Sequence, residues 1–381
     1  MTKKEFTMKQ MIYADHAATT QLSNKAFEAM LPWIREEYGN PSQPYSFSRK
    51  PKKALAEARE TIAACIHAQP EDIFFTSGGT ESDNWAIKGT AAASGKEGTL
   101  LTSAFEHHAV LNACRAIEKQ LYPVIYVSPS TDGIIVPELV KQLITTDVRM
   151  ASFMMANNEL GTIQPIQELA KIIHQQGALL HTDAVQAVGH IPINVEELGV
   201  DLLSASAHKF NGPKGVGFLY IRKGTKIAPH ENGGAQEAGQ RAGTENVAGI
   251  VGMAIALKES ITFLEMNQKH LLELEERLLN QLIGLRFVLN CAGQKHLPGL
   301  LSLSFPGYDG EAILHRMDLM GICISTGSAC DSKRTVVSHV LEAIKTDEKV
   351  ARGTIRISFG PENTLEEADA IAAGLRKIFV K

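Results

Sequence analysis

The chain has 381 residues, which is more than one ordinary hydrophobic core accommodates, so we expect two domains. With 44% hydrophobic and 21% charged residues, its composition is that of a globular protein. The formal net charge of −4 argues against nucleic acid or a membrane surface as a direct partner, because either would need a concentrated basic surface.

Cysteine usage and the N-terminal sequence bear on the cellular compartment. The cysteines are Cys65, Cys114, Cys291, Cys323 and Cys330. Their number is odd and no pair has CxxC spacing, so we expect neither a disulfide framework nor a self-contained zinc site. The sequence begins without an apolar segment long enough for a signal peptide, and no apolar run reaches membrane-spanning length. We therefore expect a cytoplasmic protein.

Short β-branched and aromatic runs alternate with amphipathic segments from about residue 50 to about residue 260. The predicted strands are 73–76, 99–103, 124–127, 150–155, 178–182, 202–205 and 216–221. Helices are predicted between them, for example over 55–66 and 166–175. The alternation predicts an α/β fold in which helices cover both faces of a mostly parallel sheet, with ligands beyond the carboxyl ends of the strands.

A different pattern follows this alternation. Apolar residues at helical spacing over about 254–282 predict one long helix or two. Strands near 301–305 and 354–359 then indicate a smaller α+β unit, which the N-terminal arm is expected to join. We predict a large domain over residues 19–262 and a small domain formed by residues 1–18 and 263–381.

The first candidate site is a glycine turn between a strand and a helix. The predicted strand 73–76 is followed by Ser77-Gly78-Gly79-Thr80, and a helix begins at Thr80 or nearby. Free backbone N–H groups and the positive end of a helix bind phosphate well. The alternative is an ordinary tight turn with a Thr or Ser cap, since the turn matches neither of the common phosphate-loop patterns.

Two further candidates follow later strands. Asp183 comes directly after the predicted strand 178–182, where a carboxylate can pair with a protonated pyridine nitrogen. Lys209 lies just past the strand 202–205 and beside His208, where burial near another cation would lower the pKa of an amine. Taken singly, Asp183 could instead cap a helix and Lys209 could be solvated.

Together, a phosphate turn, an aspartate at a strand end and a lysine after a later strand follow the chain order of fold-type I pyridoxal-phosphate enzymes. Further short motifs are YADHAATT at 13–20, YGNPS at 38–42, TSGGTESDN at 76–84, EHHAV at 106–110, NNELG at 157–161, HTDAVQ at 181–186, SAHK at 206–209, RAGT at 241–244, SAC at 328–330 and RIS at 356–358. Along essentially its whole length the chain therefore resembles the NifS/IscS-type cysteine desulfurases of the class V aminotransferase family. The resemblance implies a large domain with a mostly parallel seven-stranded sheet and a smaller α+β domain.

The same resemblance implies that the cofactor is pyridoxal 5'-phosphate and that Lys209 holds it covalently. Asp183 would hold the pyridinium nitrogen, and Gln186 would bond the phenolic oxygen of the ring. His107 would stack over the ring and act in proton transfer. Asn158 would contact both the cofactor and the substrate.

The phosphate group would be bound by both subunits of a homodimer, as the resemblance implies. The residues from the same subunit are Gly79, Thr80, Ser206 and His208. Thr244 would reach the phosphate from the neighbouring subunit.

Arg356 also has an argument of its own. Apolar residues alternate with it in the predicted strand 354–359, so its side chain points from the face opposite to theirs. A guanidinium suits a carboxylate ligand, and the resemblance implies that Arg356 holds the carboxylate of the substrate. The alternative is a surface arginine in an ion pair.

Cys330 lies in a run of small and charged residues without apolar periodicity, which indicates an exposed loop. The nearby Lys333 and Arg334 favour its thiolate, whereas Cys65 fits a helix core position and Cys323 a buried strand. The resemblance implies that Cys330 takes the sulfur as a persulfide. No resident metal is expected, although Cys330 could transiently ligate an iron–sulfur cluster.

The implied activity is that of a cysteine desulfurase, with Lys209, Cys330 and His107 as catalytic residues. L-cysteine is the expected substrate, and an iron–sulfur scaffold or a tRNA- or cofactor-thiolation enzyme is the expected acceptor of the sulfur. The nearest rivals are selenocysteine lysis and an aminotransferase reaction, against which Cys330 argues in part. A sulfur-transfer partner without catalysis is the rival of a different class, and the set of Lys209, Asp183 and His107 argues against it.

Overall fold

The computed structural model describes residues 11–95, 97–327 and 337–379. The strands are β1 (Ile12–Tyr13), β2 (Ile73–Thr76), β3 (Thr99–Ser103), β4 (Val124–Val127), β5 (Val148–Ser152), β6 (Leu179–Asp183), β7 (Leu202–Ser206), β8 (Gly217–Ile221), β9 (Val288–Leu289), β10 (Leu300–Ser304), β11 (Ile322–Cys323) and β12 (Thr354–Ser358). The helices are α1 (Asn24–Arg35), α2 (Arg49–Cys65), α3 (Gly79–Ala93), α4 (His108–Glu118), α5 (Pro137–Leu143), α6 (Ile166–Gln175), α7 (Val195–Leu198), α8 (Val247–Thr262), α9 (Leu264–Gln281), α10 (Gly310–Asp318), α11 (His339–Ala343), α12 (Glu348–Ala351) and α13 (Leu365–Phe379).

Seven strands form the central sheet in the order β2-β8-β7-β6-β5-β3-β4. Strand β8 runs antiparallel to both of its neighbours, and the remaining pairs are parallel. The predicted mostly parallel sheet of seven strands is therefore confirmed. Parallel strands place their carboxyl ends at one edge, and there Asp183 of β6 lies opposite Ser204 of β7.

Both faces of this sheet are covered, because neighbouring side chains belong to different cores. Leu203 and Phe218 belong to one core, whereas the adjacent Leu202 and Leu219 belong to another. Successive side chains of a strand point to opposite faces, so β7 and β8 are buried on both sides. This double burial explains why their sequences are apolar almost without interruption.

The largest difference between predicted and observed strands concerns β5. It spans Val148–Ser152, whereas the apolar pattern predicted 150–155. Beyond Ser152 the chain still follows β6, since the N–H of Met155 donates to the carbonyl of Asp183 at 2.8 Å. The apolar run therefore marks a buried path, which continues after the regular ladder has ended.

Helix α2 begins at Arg49 rather than at the predicted position 55, because the basic run after Arg49 forms its exposed first turn. Cys65 is the last residue of this helix and is half-buried, and Cys323 is half-buried in the two-residue strand β11. The apolar residues around each cysteine predicted that both are fully buried. That prediction is wrong, because both are only half-buried.

The stretch predicted as one helix or two consists of α8 and α9, which meet at Phe263. No single helix in the described ranges has both the length and the apolar composition needed to cross a membrane. The pair Val247–Thr262 and Leu264–Leu282 meets these criteria only when its members are taken together, and it is bent by 70° at the break.

A further core lies outside the central sheet. It consists of side chains from α9, α10, α13 and the three-stranded sheet β12-β10-β9. Strand β1 pairs in parallel with β11, and Ala14, which follows β1, belongs to this core. The domain limits given above for residues 19–262 remain a prediction.

Candidate active site

The predicted site residues converge at the carboxyl edge of the central sheet. Asp183 is the last residue of β6, and Lys209 closes a single 3-10 turn directly after β7. The glycine turn before α3 joins the same edge, since a Cβ atom at Gly78 would lie 3.3 Å from the Ser206 hydroxyl. The strand ends therefore set the positions of these side chains.

Asp183 is buried, and its Oδ1 accepts the backbone N–H of Val185 at 2.9 Å. The turn that follows does not continue as a helix, so the helix-cap alternative is wrong. Burial raises the pKa of Asp183 to about 6. A cation placed against this carboxyl would keep it ionised, which is the property needed of a partner for a pyridinium nitrogen.

A buried polar network adjoins Asp183. The ring of His181 lies between the hydroxyls of Ser152, at 2.8 Å, and Ser204, at 2.9 Å, and burial lowers its pKa to about 3. Asp83 of α3 lies 3.6 Å from the His181 ring. Burial, reinforced by the charge of Asp183, raises the pKa of Asp83 well above its usual range. Two carboxyl groups thus share this pocket, and ionisation of one opposes ionisation of the other.

His107 is the N-cap of α4. Its Nδ1 accepts the N–H of Ala109 at 3.1 Å, so the neutral ring carries its proton on Nε2. Burial lowers the pKa of His107 to about 4, and the ammonium of Lys209 acts in the same direction. Polar atoms of His107, Asp183 and Asp83 lie within 4.8 Å of one another. The predicted ring-stacking histidine and the predicted partner of the ring nitrogen are therefore brought together.

By distance alone these three residues could also hold a metal ion. Two of them, His107 and Asp183, are the residues predicted to contact the cofactor ring, so the cluster is no separate site. The absence of a resident metal stays a prediction.

Lys209 is directed at the N-terminal turn. Its Nζ donates to the carbonyls of Ala17 at 2.6 Å and Ala18 at 3.0 Å. The amide of Gln186 donates to the same Ala17 carbonyl at 2.8 Å. Two of the side chains predicted to hold the cofactor therefore meet at one point, and the ammonium is held by the chain rather than by solvent alone.

The glycine turn has the construction of an anion seat. Gly78 has a φ of +143°, which favours glycine, and a Cβ atom at Gly79 would come within 2.5 Å of the Val185 side chain. Helix α3 begins at Gly79, so its first N–H groups are left without helical partners. Thr80 is exposed and Ser206 is buried beside the turn. This set of donors fits the phosphate of a pyridoxal cofactor.

His208, the remaining predicted phosphate ligand of this subunit, is fixed by the N-terminal turn. Its Nδ1 lies 3.1 Å from the Thr19 hydroxyl, and its carbonyl accepts the Thr20 hydroxyl at 3.0 Å. Burial lowers the pKa of His208 to about 4. A neutral imidazole can still donate one hydrogen bond to a phosphate oxygen.

Arg356 lies on β12 and is only 5% exposed, so the alternative of a surface arginine is wrong. Its Nη1 donates to the carbonyl of Asn158 at 2.8 Å, and its Nη2 donates to Oδ1 of Asp15 at 2.7 Å. Its Nε is buried and has no hydrogen-bond partner in the described chain. The two residues predicted to bind substrate are thus in contact, and the guanidinium keeps a donor for a further ligand.

Asp15 and the carbonyls of Ala17 and Ala18 are among the parts of the site that sequence reasoning missed. They belong to the YADHAATT motif, which carried the resemblance but received no chemical role. The available signal was a carboxylate two residues after a short strand, followed by the small residues Ala17 and Ala18.

Thr244 is exposed, on a segment that is tied to the phosphate turn. Arg241 pairs with Glu81 in the first turn of α3 at 2.9 Å. Glu237 is buried, pairs with Arg59 at 2.6 Å and accepts a backbone N–H from the edge strand β2 at 2.8 Å. These contacts hold the segment in place. The contact of Thr244 with a second subunit stays a prediction.

Cys330 and the adjacent Lys333 and Arg334 lie outside the described residues. The chain that leads to them is fixed at Ser325, whose N–H and carbonyl pair with the backbone of Arg356 at 3.0 and 2.7 Å.

Comparison with known proteins gives the family. Residues 12–371 match the model of the aminotransferase class-V family. The chain is 47% identical over 378 residues to a cysteine desulfurase IscS from Dictyoglomus turgidum, over 98% of this chain and 96% of that protein.

Solved structures agree with this relation. A NifS-like protein has a TM-score of 0.92 at 38% identity, over 97% of this chain and 99% of that one. SspA, solved in complex with cysteine, has a TM-score of 0.83 at 33% identity, over 93% of this chain and all of that one. The chain belongs to the aminotransferase class-V family and, within it, to the NifS/IscS-type cysteine desulfurases.

Proposed function

We propose that this protein is a pyridoxal-phosphate-dependent cysteine desulfurase, which takes sulfur from L-cysteine and releases L-alanine. The observation that carries the proposal is the convergence of Lys209, Asp183 and His107 at the carboxyl edge of the sheet, together with the buried Arg356 on β12. The IscS relative bears the name of this activity, and the similar SspA structure holds cysteine.

The residues that would hold the cofactor are those whose geometry is described above. The residues that would donate hydrogen bonds to its phosphate are Gly79, Thr80, Ser206 and His208, with Thr244 from a second subunit. Asp183 would face the pyridine nitrogen, Gln186 the phenolic oxygen, and Lys209 would attach the cofactor covalently. When bound, the cofactor supplies an electron-withdrawing ring that stabilises negative charge on the substrate Cα.

The other steps belong to the side chains of the protein. Arg356 binds the carboxylate of cysteine beside Asn158, because Nη1 and Nη2 each donate one N–H within the protein and each carry a second. The amine of Lys209, when it is not bonded to the cofactor, would take the proton from the substrate Cα. His107 is neutral at neutral pH, so its ring can stack on an aromatic ring, and its Nε2–H can donate a hydrogen bond to a group that takes up a proton.

Sulfur leaves through Cys330, which lies outside the described residues. Its thiolate bonds to the substrate sulfur while the Cβ–S bond breaks and leaves its electron pair on the carbon skeleton. The carbon skeleton takes up protons and departs as L-alanine, and a persulfide is left on Cys330. An acceptor protein in the cytoplasm, for iron–sulfur cluster assembly or for tRNA or cofactor thiolation, then receives the sulfur.

A homodimer is part of the proposal, and helix α1 supports it. Phe27, Leu31 and Ile34 lie four and three residues apart on this helix and are all exposed, so they form an apolar stripe. We expect Leu31→Glu to produce monomers in sedimentation experiments, whereas Leu319→Glu, at an exposed leucine elsewhere, leaves the dimer intact. Dimers of unchanged stability in Leu31→Glu would contradict this part of the proposal.

Incubation of the cofactor-loaded protein with L-cysteine tests the activity itself. Alanine and sulfide are measured with and without a thiol reductant, and we expect sulfide to depend on the reductant that cleaves the persulfide. Cys330→Ser should bind cysteine but form almost no alanine, because a hydroxyl is a far weaker nucleophile than a thiolate. Alanine formation by Cys330→Ser at the wild-type rate would refute the persulfide route, and transfer of the amino group to a keto acid would favour an aminotransferase.

A further inference from the structure

We propose that Asp15 is a positioning residue that also sets substrate affinity: its carboxylate orients the guanidinium of Arg356 and limits the affinity of that guanidinium for substrate carboxylates. The inference rests on the proposed function only in taking Arg356 as the site of the substrate carboxylate. No role for Asp15 follows from the cofactor contacts described above.

The protein itself occupies part of the hydrogen-bonding capacity of the guanidinium. Nη1 donates to the Asn158 carbonyl at 2.8 Å, and Nη2 donates to Asp15 Oδ1 at 2.7 Å. Nε is buried and has no partner in the described chain. Asp15 therefore fixes the orientation of the guanidinium through one donor, and the second N–H of each Nη is left for an incoming carboxylate.

The backbone on both sides of this ion pair is fixed. Asp15 forms a parallel bridge with Ser358, and the N–H of Ser358 donates to the Ala14 carbonyl at 2.9 Å. The N–H of Arg356 donates to the Ser325 carbonyl at 2.7 Å. The backbone of both residues is therefore held in place, so their side chains are presented to each other.

The charge of Asp15 acts on Arg356 and on the substrate in opposite ways. A buried guanidinium without a counter-ion is costly, so Asp15 stabilises Arg356 when no substrate is bound. A substrate carboxylate must then bind a cation that is already paired, and it also experiences repulsion from Asp15. Orientation by Asp15 strengthens substrate binding, whereas its charge weakens binding, and two substitutions can separate these effects.

The experiment compares Asp15→Asn with Asp15→Ala in the cofactor-loaded dimer. The amide oxygen of asparagine still accepts from Nη2 but carries no charge, so we expect the KM for L-cysteine and the Kd for L-alanine to fall about fivefold. Alanine removes the acceptor as well, so we expect both constants to rise about tenfold. Calorimetric titration with L-alanine measures binding without turnover, and steady-state kinetics with cysteine give KM and kcat separately.

Glu362→Gln is the matched control. Glu362 is an exposed carboxylate near the turn that follows Asp15, and it accepts a hydrogen bond from Asn211 rather than from Arg356. It should leave both constants within twofold of the wild type. A purely structural role of Asp15 would lower the melting temperature of both variants, but it would not make the KM and the Kd fall in one variant and rise in the other. Constants unchanged in both variants, or raised equally in both, would overturn the proposal.

The same measurements distinguish failure of this proposal from failure of the proposed function. A wild-type protein that forms no alanine from cysteine would refute the desulfurase activity. If L-alanine still bound to that protein with opposite responses in Asp15→Asn and Asp15→Ala, the assignment of Asp15 would stand.

Discussion

The two sides of the site treat buried charge in different ways. Asp83, Asp183 and His107 lie together at the carboxyl edge of the central sheet. Burial raises the pKa of the two carboxyl groups and lowers that of the histidine, so it favours the neutral form of each. On β12, by contrast, the buried Arg356 is paired directly with Asp15. The first region can change its protonation when a charged ring arrives, whereas the second presents a permanent charge to a substrate.

This difference assigns chemistry to one side and binding to the other. His107, with a pKa of about 4, is neutral near pH 7, and Asp183, with a pKa of about 6, is held ionised by a cation placed against it. An arginine stays protonated, so its contribution is to hold and orient. Substitutions on the sheet side should therefore lower kcat, and substitutions on the β12 side should mainly change KM.

The largest effect is expected for Lys209→Ala, which should lower alanine formation by a factor on the order of 10³ or more, because both covalent attachment and the base are lost. Mass spectrometry after borohydride reduction of the wild-type protein should locate the cofactor on Lys209. Lys214, the next lysine in the chain, is the internal control. Labelling of Lys214 would place the chemistry outside the sheet edge and contradict the assignment of catalysis to the sheet side of the site.

A smaller loss is expected for Asp183→Asn, which should lower kcat about 10²-fold, since an amide cannot keep a pyridine nitrogen protonated. Asp83→Asn is the matched variant, and it should retain most of the activity, because an Asp83 carboxyl whose pKa is raised well above its usual range is already neutral. Absorbance spectra of the bound cofactor as a function of pH report the state of the ring nitrogen. Equal losses in the two variants would show that the pocket acts through its total charge rather than through Asp183.

On the β12 side, Arg356→Ala should raise the KM for cysteine by about 10- to 100-fold and change kcat less, as expected for the loss of a charge-assisted hydrogen bond. Arg352→Ala is the control, because Arg352 is an exposed arginine nearby that pairs with Glu348. Steady-state kinetics on both variants provide the measurement. A loss confined to kcat would mean that Arg356 acts on the reaction and not on binding.

Which of these residues the sequence revealed depended on how local their signals are. Asp183 and Lys209 follow strands buried on both faces, and such strands are legible as apolar runs with polar residues at their ends. The Arg356–Asp15 contact joins residues 341 positions apart, and the Glu237–Arg59 pair joins residues 178 apart. Pairs of this kind arise from the packing of distant elements, so no local pattern predicts them.

The burial of Asp83 was hidden for a related reason. It lies on α3, whose buried and exposed positions depend on the contact of this helix with the sheet rather than on a clear apolar stripe. The end of β5 at Ser152 is a similar case, since the apolar pattern predicted a path along β6 but not the end of the hydrogen-bonded ladder.

The smallest expected effect concerns stability and the neutral histidine behind Asp183. Burial gives His181 a pKa of about 3 in the folded protein, below its ordinary value of 6.5. The unfolded chain therefore takes up a proton that the folded protein does not, so stability that is present above pH 6.5 is lost as the pH falls toward 3, at about 1.4 kcal/mol per pH unit. His107 acts in the same direction, with a folded-state pKa of about 4.

Urea unfolding of the cofactor-loaded protein at pH 7, 6 and 5 measures this loss, and substitution isolates the share of His181. His181→Gln should be less stable than the wild type at pH 7, because the hydrogen bonds to Ser152 and Ser204 are weakened, but its stability should fall less steeply with acid. His315→Gln, at an exposed histidine of α10, should keep the wild-type slope. A wild-type slope in His181→Gln would mean that other groups govern acid unfolding and that the sheet edge does not hold its histidine neutral.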